Sequence, residues 1–137
     1  MRPEEETTAD YRATEMTTGP HLVRHIRPRL DAFSVSTTAE LRRLPDGGRV
    51  RAAGAVIVRQ RPGTAKGFVF LTLEDETGMA QAIIRPDLFR EQRALIVGSP
   101  GLVVEGILQK SDGTLSVRAE RFWSLGEFRG VPSHDFH

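Results

Sequence analysis

RVRAAGAVIVRQRPGTAKGFVFLTLEDETGMAQAIIR, residues 49–85, is the stretch whose reading decides the fold. Its apolar residues recur at every second position, the period of a strand with one buried face. RVRAAGAVIVRQ sets Val50, Ala52, Val56 and Val58 on one face. Arg49, Arg51, Arg59 and Arg61 fall on the other, provided Gly54 marks no bulge. In FVFLTLED, Val69, Leu71 and Leu73 form the natural core set, and Phe68, Phe70 and Thr72 point the other way. A register slip of one residue would exchange the two sets. The turn ETG leads into a third strand, MAQAIIR.

Beyond this stretch, PDLFREQRALIV opens with Pro86 in a first helical turn and carries Leu88, Phe89, Ala94 and Leu95, which reads as a helix. GLVVEGILQK and TLSVRAERFW form a hairpin around Ser111-Asp112-Gly113, with Asp-Gly as the turn signal. Three strands, one helix and two strands make an all-β, five-stranded Greek-key barrel of the OB type. Such barrels bind ligands on strands two and three and on the loops joining strands one to two and four to five. Upstream, PHLVRHIRPRLDAF reads as a short helix interrupted at Pro28, with Leu22, Ile26, Leu30 and Phe33 on one face. STTAELRRLPDGG reads as a second short helix, ended by Pro45 and the glycine pair. The expected organisation is a disordered segment over 1–18, a short helical adaptor over 19–48, the barrel over 49–125 and a tail over 126–137.

A chain of 137 residues is one domain by length. Its formal net charge is +1, so the molecule as a whole is no polycation. All but two of the 19 basic residues are arginine. Arginine suits planar contact with phosphates and bases, and it is also what a GC-rich genome supplies. The absence of cysteine excludes disulfides and Cys-based zinc sites. No run approaches 18 consecutive apolar residues, so a cytoplasmic protein with no membrane partner is expected.

The loop RPGTAKG gathers Arg59, Arg61 and Lys66 beside Phe68 and Phe70. Aromatics between cations suit single-stranded nucleic acid, since rings stack on bases and cations follow phosphates. The competing reading places both phenylalanines in the core. Lys110 and Arg118 flank the last turn, as ligand contacts or as ordinary surface charge. Glu74, Asp75 and Glu76 are neighbours in an extended segment and point to alternate sides, which does not converge on a metal. They read instead as a solvated turn in which Asp75 bonds local backbone and Gly78 takes a positive φ. His21 and His25 have ligand spacing but no third ligand nearby, and no serine stands in a GxSxG setting. No catalytic residue, metal or cofactor is expected. Of Phe122 and Trp123, one is expected in the core and the other toward the groove or the N-terminal helices, with Trp123 structural.

DYRATEMTTGPHLVRHIRPRL, RQRPGTAKGxxFxTLEDETG and the final SHDFH resemble the C-terminal end of bacterial error-prone DNA polymerases, the C-family replicative-type subunits of damage-induced mutagenesis. The resemblance spans residues 10–137. More loosely, the barrel is similar to the anticodon-binding barrels of class II aminoacyl-tRNA synthetases, which place an aromatic in strand two and a glutamine eleven residues later. Phe70 and Gln81 match those positions, implying that Phe70 stacks on a base and Gln81 contacts a base edge. Arg59 matches the strand-one arginine across a longer loop. The resemblance implies a non-catalytic module that holds single-stranded template DNA during translesion synthesis in SOS mutagenesis and DNA repair. Arg51, Arg59, Arg61 and Lys66 would meet phosphates, with Lys110 and Arg118 nearby. It also implies other polymerase domains, an inactive Y-family-like protein and the sliding clamp as partners, in the bacterial nucleoid. Two alternatives stay open: a protein adaptor that docks through RGVPSHDFH, and a tRNA- or RNA-binding barrel.

Overall fold

The computed structural model describes residues 20–61, 66–111 and 113–128. The segments read as a disordered N-terminus (1–18) and a docking tail (129–137) lie outside the described residues, as do 62–65 and Asp112. Five strands close a barrel: β1 (Arg49–Gln60), β2 (Val69–Asp75), β3 (Gly78–Ile84), β4 (Gly101–Ser111) and β5 (Thr114–Ser124). The order around it is β1-β2-β3-β5-β4, with β4 returning to β1. Among these five strands, the β3–β5 pairing is parallel and the others are antiparallel. The long β1 serves both halves: Arg49–Ala55 pair with β4, and Ala55–Gln60 pair with β2. Gly54 lies at the changeover, where a Cβ would stand 2.8 Å from the backbone of Glu74, so only a glycine permits the close crossing. No helix among the described residues is long and apolar enough to cross a membrane.

The alternation read from β2 holds. Val69, Leu71 and Leu73 are buried in the core, with half-buried residues between them. They pack with Ala82 and Ile84 of β3, Leu102 and Leu108 of β4, and Val117 of β5. The alternation read across β1 does not hold. Ala52, Ala53, Gly54 and Ala55 are all buried, and a bulge falls between Val56 and Val58 rather than at Gly54. The extra residue, Ile57, reverses the parity of everything after it. The helical stretch between β3 and β4 breaks at Gln92 into α4 (Pro86–Glu91) and α5 (Arg93–Gly98). Their Leu88, Phe89 and Ile96 join the barrel core.

Among the described residues, three short helices precede the barrel: α1 (Pro20–His25), α2 (Arg27–Ala32) and α3 (Thr38–Leu41). The interruption expected at Pro28 falls at Ile26, and Pro28 sits in the first turn of α2, where its missing N–H costs no bond. Leu22, Val23, Ile26, Leu30 and Val35 pack against Ala53, Val103 and Leu125, forming a second apolar core outside the barrel. Phe33 meets Trp123 edge-to-face at 4.9 Å. Phe122, one residue earlier, faces the barrel core, so the two aromatics divide as the sequence reading expected.

The turn LEDETG has the local Asp75 bonds and the positive-φ Gly78 read from the sequence, and it also secures this helical segment. Asp75 is 3% exposed. Its Oδ2 accepts from the backbone N–H of Thr38 at 2.8 Å, satisfying an otherwise orphaned donor at the start of α3. Its Oδ1 accepts from the N–H groups of Thr77 and Gly78 at 2.7 and 3.0 Å. Glu76 receives two hydrogen bonds from Arg27 of α2, at 2.8 and 2.9 Å. Burial pushes the Glu76 carboxyl up, but the Arg27 hydrogen bond and charge outweigh it and hold the group below the usual carboxylate range. Thr37 and Glu40 complete a capping box on α3. Gly78 has φ +152°, and a Cβ there would meet the Arg42 guanidinium at 2.8 Å.

Candidate nucleic-acid interface

Strand register builds one open face. Directly paired residues point the same way, so Gln60, Phe70, Ile83 and Arg118 form a continuous outward row across β1, β2, β3 and β5. The next row is Val58, Thr72, Gln81, Ser116 and Gln109. Phe70, Thr72, Gln81 and Ile83 are half-buried, and neither of the two apolar cores includes them. Beside the first row opens a cleft of about 320 Å³ lined by Phe68, Ile83, Arg85, Gln109, Arg118 and Glu120, together with Ala119. Apolar rings, amides and guanidinium groups therefore share one surface.

The cations read from the sequence do not all reach it. Arg59 pairs with Leu71, a core residue, because the bulge at Ile57 shifts it to that side of the strand, although near the end of β1 its side chain stays exposed. Its guanidinium donates to the carbonyls of Ser99 and Ile96 at 3.0 and 3.4 Å, closing the C-terminal end of α5. Burial pushes its pKa down. Arg51 donates to Glu105 at 2.9 Å and to the Phe33 carbonyl at 2.7 Å, and lies 4.1 Å over the Phe33 ring. It joins the barrel to the helices, where the second core forms. Lys110 donates from Nζ to the Leu44 carbonyl at 2.9 Å and also to that of Arg42, both just beyond α3. Arg51 and Arg59, read as phosphate ligands, and Lys110, read as a ligand contact or ordinary surface charge, are thus all engaged in bonds within the molecule.

The other positions stay available to a ligand. Arg118 is exposed and forms no ion pair among the described residues. Arg61 is exposed beside residues 62–65, its guanidinium 5.1 Å from the Phe89 ring. Lys66, at the other end of those residues, is exposed with φ +54°. Gln81 sits between Thr72 and Ser116, beside Ile83, and its amide bonds no other described group. Sequence reasoning missed Ile83, Arg85 and Gln109. A signal was present: Gln81, Ile83 and Arg85 keep the same period as Phe68, Phe70 and Thr72. Gln109 could not be placed without the β4–β5 register. Among the described residues, no three His, Asp or Glu side chains gather as a metal site would need.

Comparisons with known proteins agree with this architecture. The region is similar to error-prone DNA polymerases, at 43% identity over 125 residues for that of Caulobacter vibrioides and 42% over 127 for that of Bordetella parapertussis. These matches cover 91% and 93% of this chain, which spans 12% of the length of each relative. Among solved structures, asparaginyl-tRNA synthetase from Pyrococcus horikoshii is similar at 26% identity and a TM-score of 0.53, over 66% of this chain and 23% of that one. An OBody, AM1L10, bound to hen egg-white lysozyme shares the fold alone, at 20% identity and a TM-score of 0.52, over 67% of this chain and 91% of that one. A family model described as an OB-fold nucleic acid binding domain, of the tRNA anticodon type, matches residues 46–125. The chain belongs to this family of OB-fold nucleic-acid-binding domains.

Proposed function

We propose that the open face of β2, β3 and β5 binds single-stranded DNA without catalysis. The observation that carries the reading is the outward row Phe70–Ile83–Arg118, with Gln81 beside it. A ring supplies a stacking platform, worth about 1–3 kcal/mol per base. Arg118 supplies a cation with no competing carboxylate partner among the described residues, and Gln81 offers both a donor and an acceptor to a base edge. Arg61 and Lys66 would follow the phosphates past the face, and Phe68 would stack on a second base; Arg85 lines the cleft but is held by Asp87 at 3.3 Å.

The likeness to error-prone DNA polymerases supports a role for such a face in holding template strand for translesion synthesis. The other polymerase domains, an inactive Y-family-like protein and the sliding clamp belong to the same proposal as partners, with SOS mutagenesis in the bacterial cytoplasm as its setting. Titration of fluorescent oligo-dT at low and high salt tests it. Binding should weaken with added salt, with log K falling by about 0.7 per log unit of salt for each phosphate neutralised. No binding at either salt concentration would end the reading for this domain. A second reading, RNA, is favoured by the likeness to a tRNA synthetase. It would appear as preference for an RNA stem-loop over oligo-dT in direct competition.

A further inference from the structure

We infer that Val58 reads the 5-methyl group of thymine, so that this face distinguishes thymine from uracil. The inference rests on the single-strand reading above and adds a specificity residue to the same site. The bulge at Ile57 that shifts Arg59 to the core side of the strand also turns Val58 outward. Val58 is 39% exposed and Ile57 46%, two large apolar side chains open to solvent near the end of β1. Val58 lies directly opposite Thr72, and Thr72 lies directly opposite Gln81. An apolar branch and an amide thus flank one short side chain in a single row.

Two interstrand steps of about 4.8 Å separate the outer members of that row. A pyrimidine stacked against Phe70, two residues along β2 on the same face, lies next to this gap. Gln81 can donate to its 4-keto oxygen, and the neighbouring ring carbon then turns toward β1. In thymine that carbon carries a methyl group, and in uracil it carries hydrogen. Apolar side chains recognise this methyl in known DNA interfaces, and methyl groups of threonine do so as well. The γ-methyl of Thr72 and the branch of Val58 supply such a surface. A charge or an amide at position 58 would not distinguish the two bases in this way.

The test compares the domain's binding to oligo-dT and to oligo-deoxyuridine of equal length by fluorescence anisotropy. Sugar, phosphate and stacking ring are the same in both, and only the methyl differs. The wild-type domain should bind oligo-dT about threefold to fourfold more tightly for each base so read, the gain expected from burying one methyl. Val58→Ala should bring the two affinities together. Val97→Ala, which truncates another exposed valine, on α5, should leave their ratio as in the wild type. Ribo-oligomers with and without the 5-methyl group should show the same ratio. Equal affinity of the wild-type domain for oligo-dT and oligo-deoxyuridine would overturn the inference and leave single-strand binding standing. Preservation of the ratio in Val58→Ala would move the recognition elsewhere and also overturn it. Absence of binding to either strand would overturn both.

Discussion

Two sides of one barrel have opposite fates. On the β1–β4 side, outward residues such as Ala53 and Val103 are small and apolar, and the helices α1 and α2 lie on them. On the β2–β3 side, outward residues are Phe70, Thr72, Gln81 and Ile83, and no described element covers them. The arginines follow the same division. Arg27, Arg49 and Arg51 are held by Glu76, Glu105 and Glu120, whereas Arg118 faces the cleft. A guanidinium held by a carboxylate is a poor phosphate ligand, because binding would first break an ion pair. Counting arginines therefore says little about binding. Which face each one occupies says much more.

The largest expected effect separates the two sides by stability. Ile26 is fully buried beneath the N-terminal helices. Ile26→Ala should cost about 2–5 kcal/mol in chemical denaturation, with oligo-dT affinity unchanged for the folded fraction. A barrel melting as the wild type does would show that the helices add nothing to it, and would break the comparison.

The next effect concerns binding. Phe70→Ala should weaken oligo-dT binding by about 1–3 kcal/mol. Its denaturation midpoint should move little, because the ring lies outside the core. An equal loss of stability would mean that the ring supports the fold and is not a platform.

The clasp comes third. Arg27→Met removes two hydrogen bonds to Glu76, a loss of about 1.5–3 kcal/mol at neutral pH. The Glu76 carboxyl is held below its ordinary value when folded. Its contribution is therefore present above the unfolded pKa and disappears as pH falls through the folded one. Denaturation followed from neutral pH down through the carboxylate range should show the gap between wild type and Arg27→Met closing. A gap that stays constant into acid would rule out the ion pair as its source.

The smallest effect sharpens the division among arginines. Arg118→Gln should lower the salt slope of oligo-dT binding by about 0.7, one phosphate contact. Arg51→Gln should leave the slope unaltered and reduce stability instead. The reverse outcome would place the phosphate path on the helical side.

The strand order, the faces of β2 and the division between Phe122 and Trp123 were legible in the sequence. In β2 one face is buried and the other only half-buried, so the alternation of side chains reports directly on burial; Phe122 and Trp123, as chain neighbours, must face opposite sides of the strand. The middle of β1 was not legible, because residues 52–55 are buried on both faces and alternation there carries no signal. The bulge at Ile57 left no mark in composition either, and it decided the direction of Arg59. The acidic turn was read as a set of local bonds, and for Asp75 that was half of the matter. Its second oxygen reaches Thr38, 37 residues away in the chain.

The sequence by itself determined a small barrel with an outward aromatic in its second strand, because a two-residue period and turn residues are local properties. Tertiary structure alone decided which cations remain available. A guanidinium finds its partner across sheets and helices, and spacing along the chain does not encode who stands opposite.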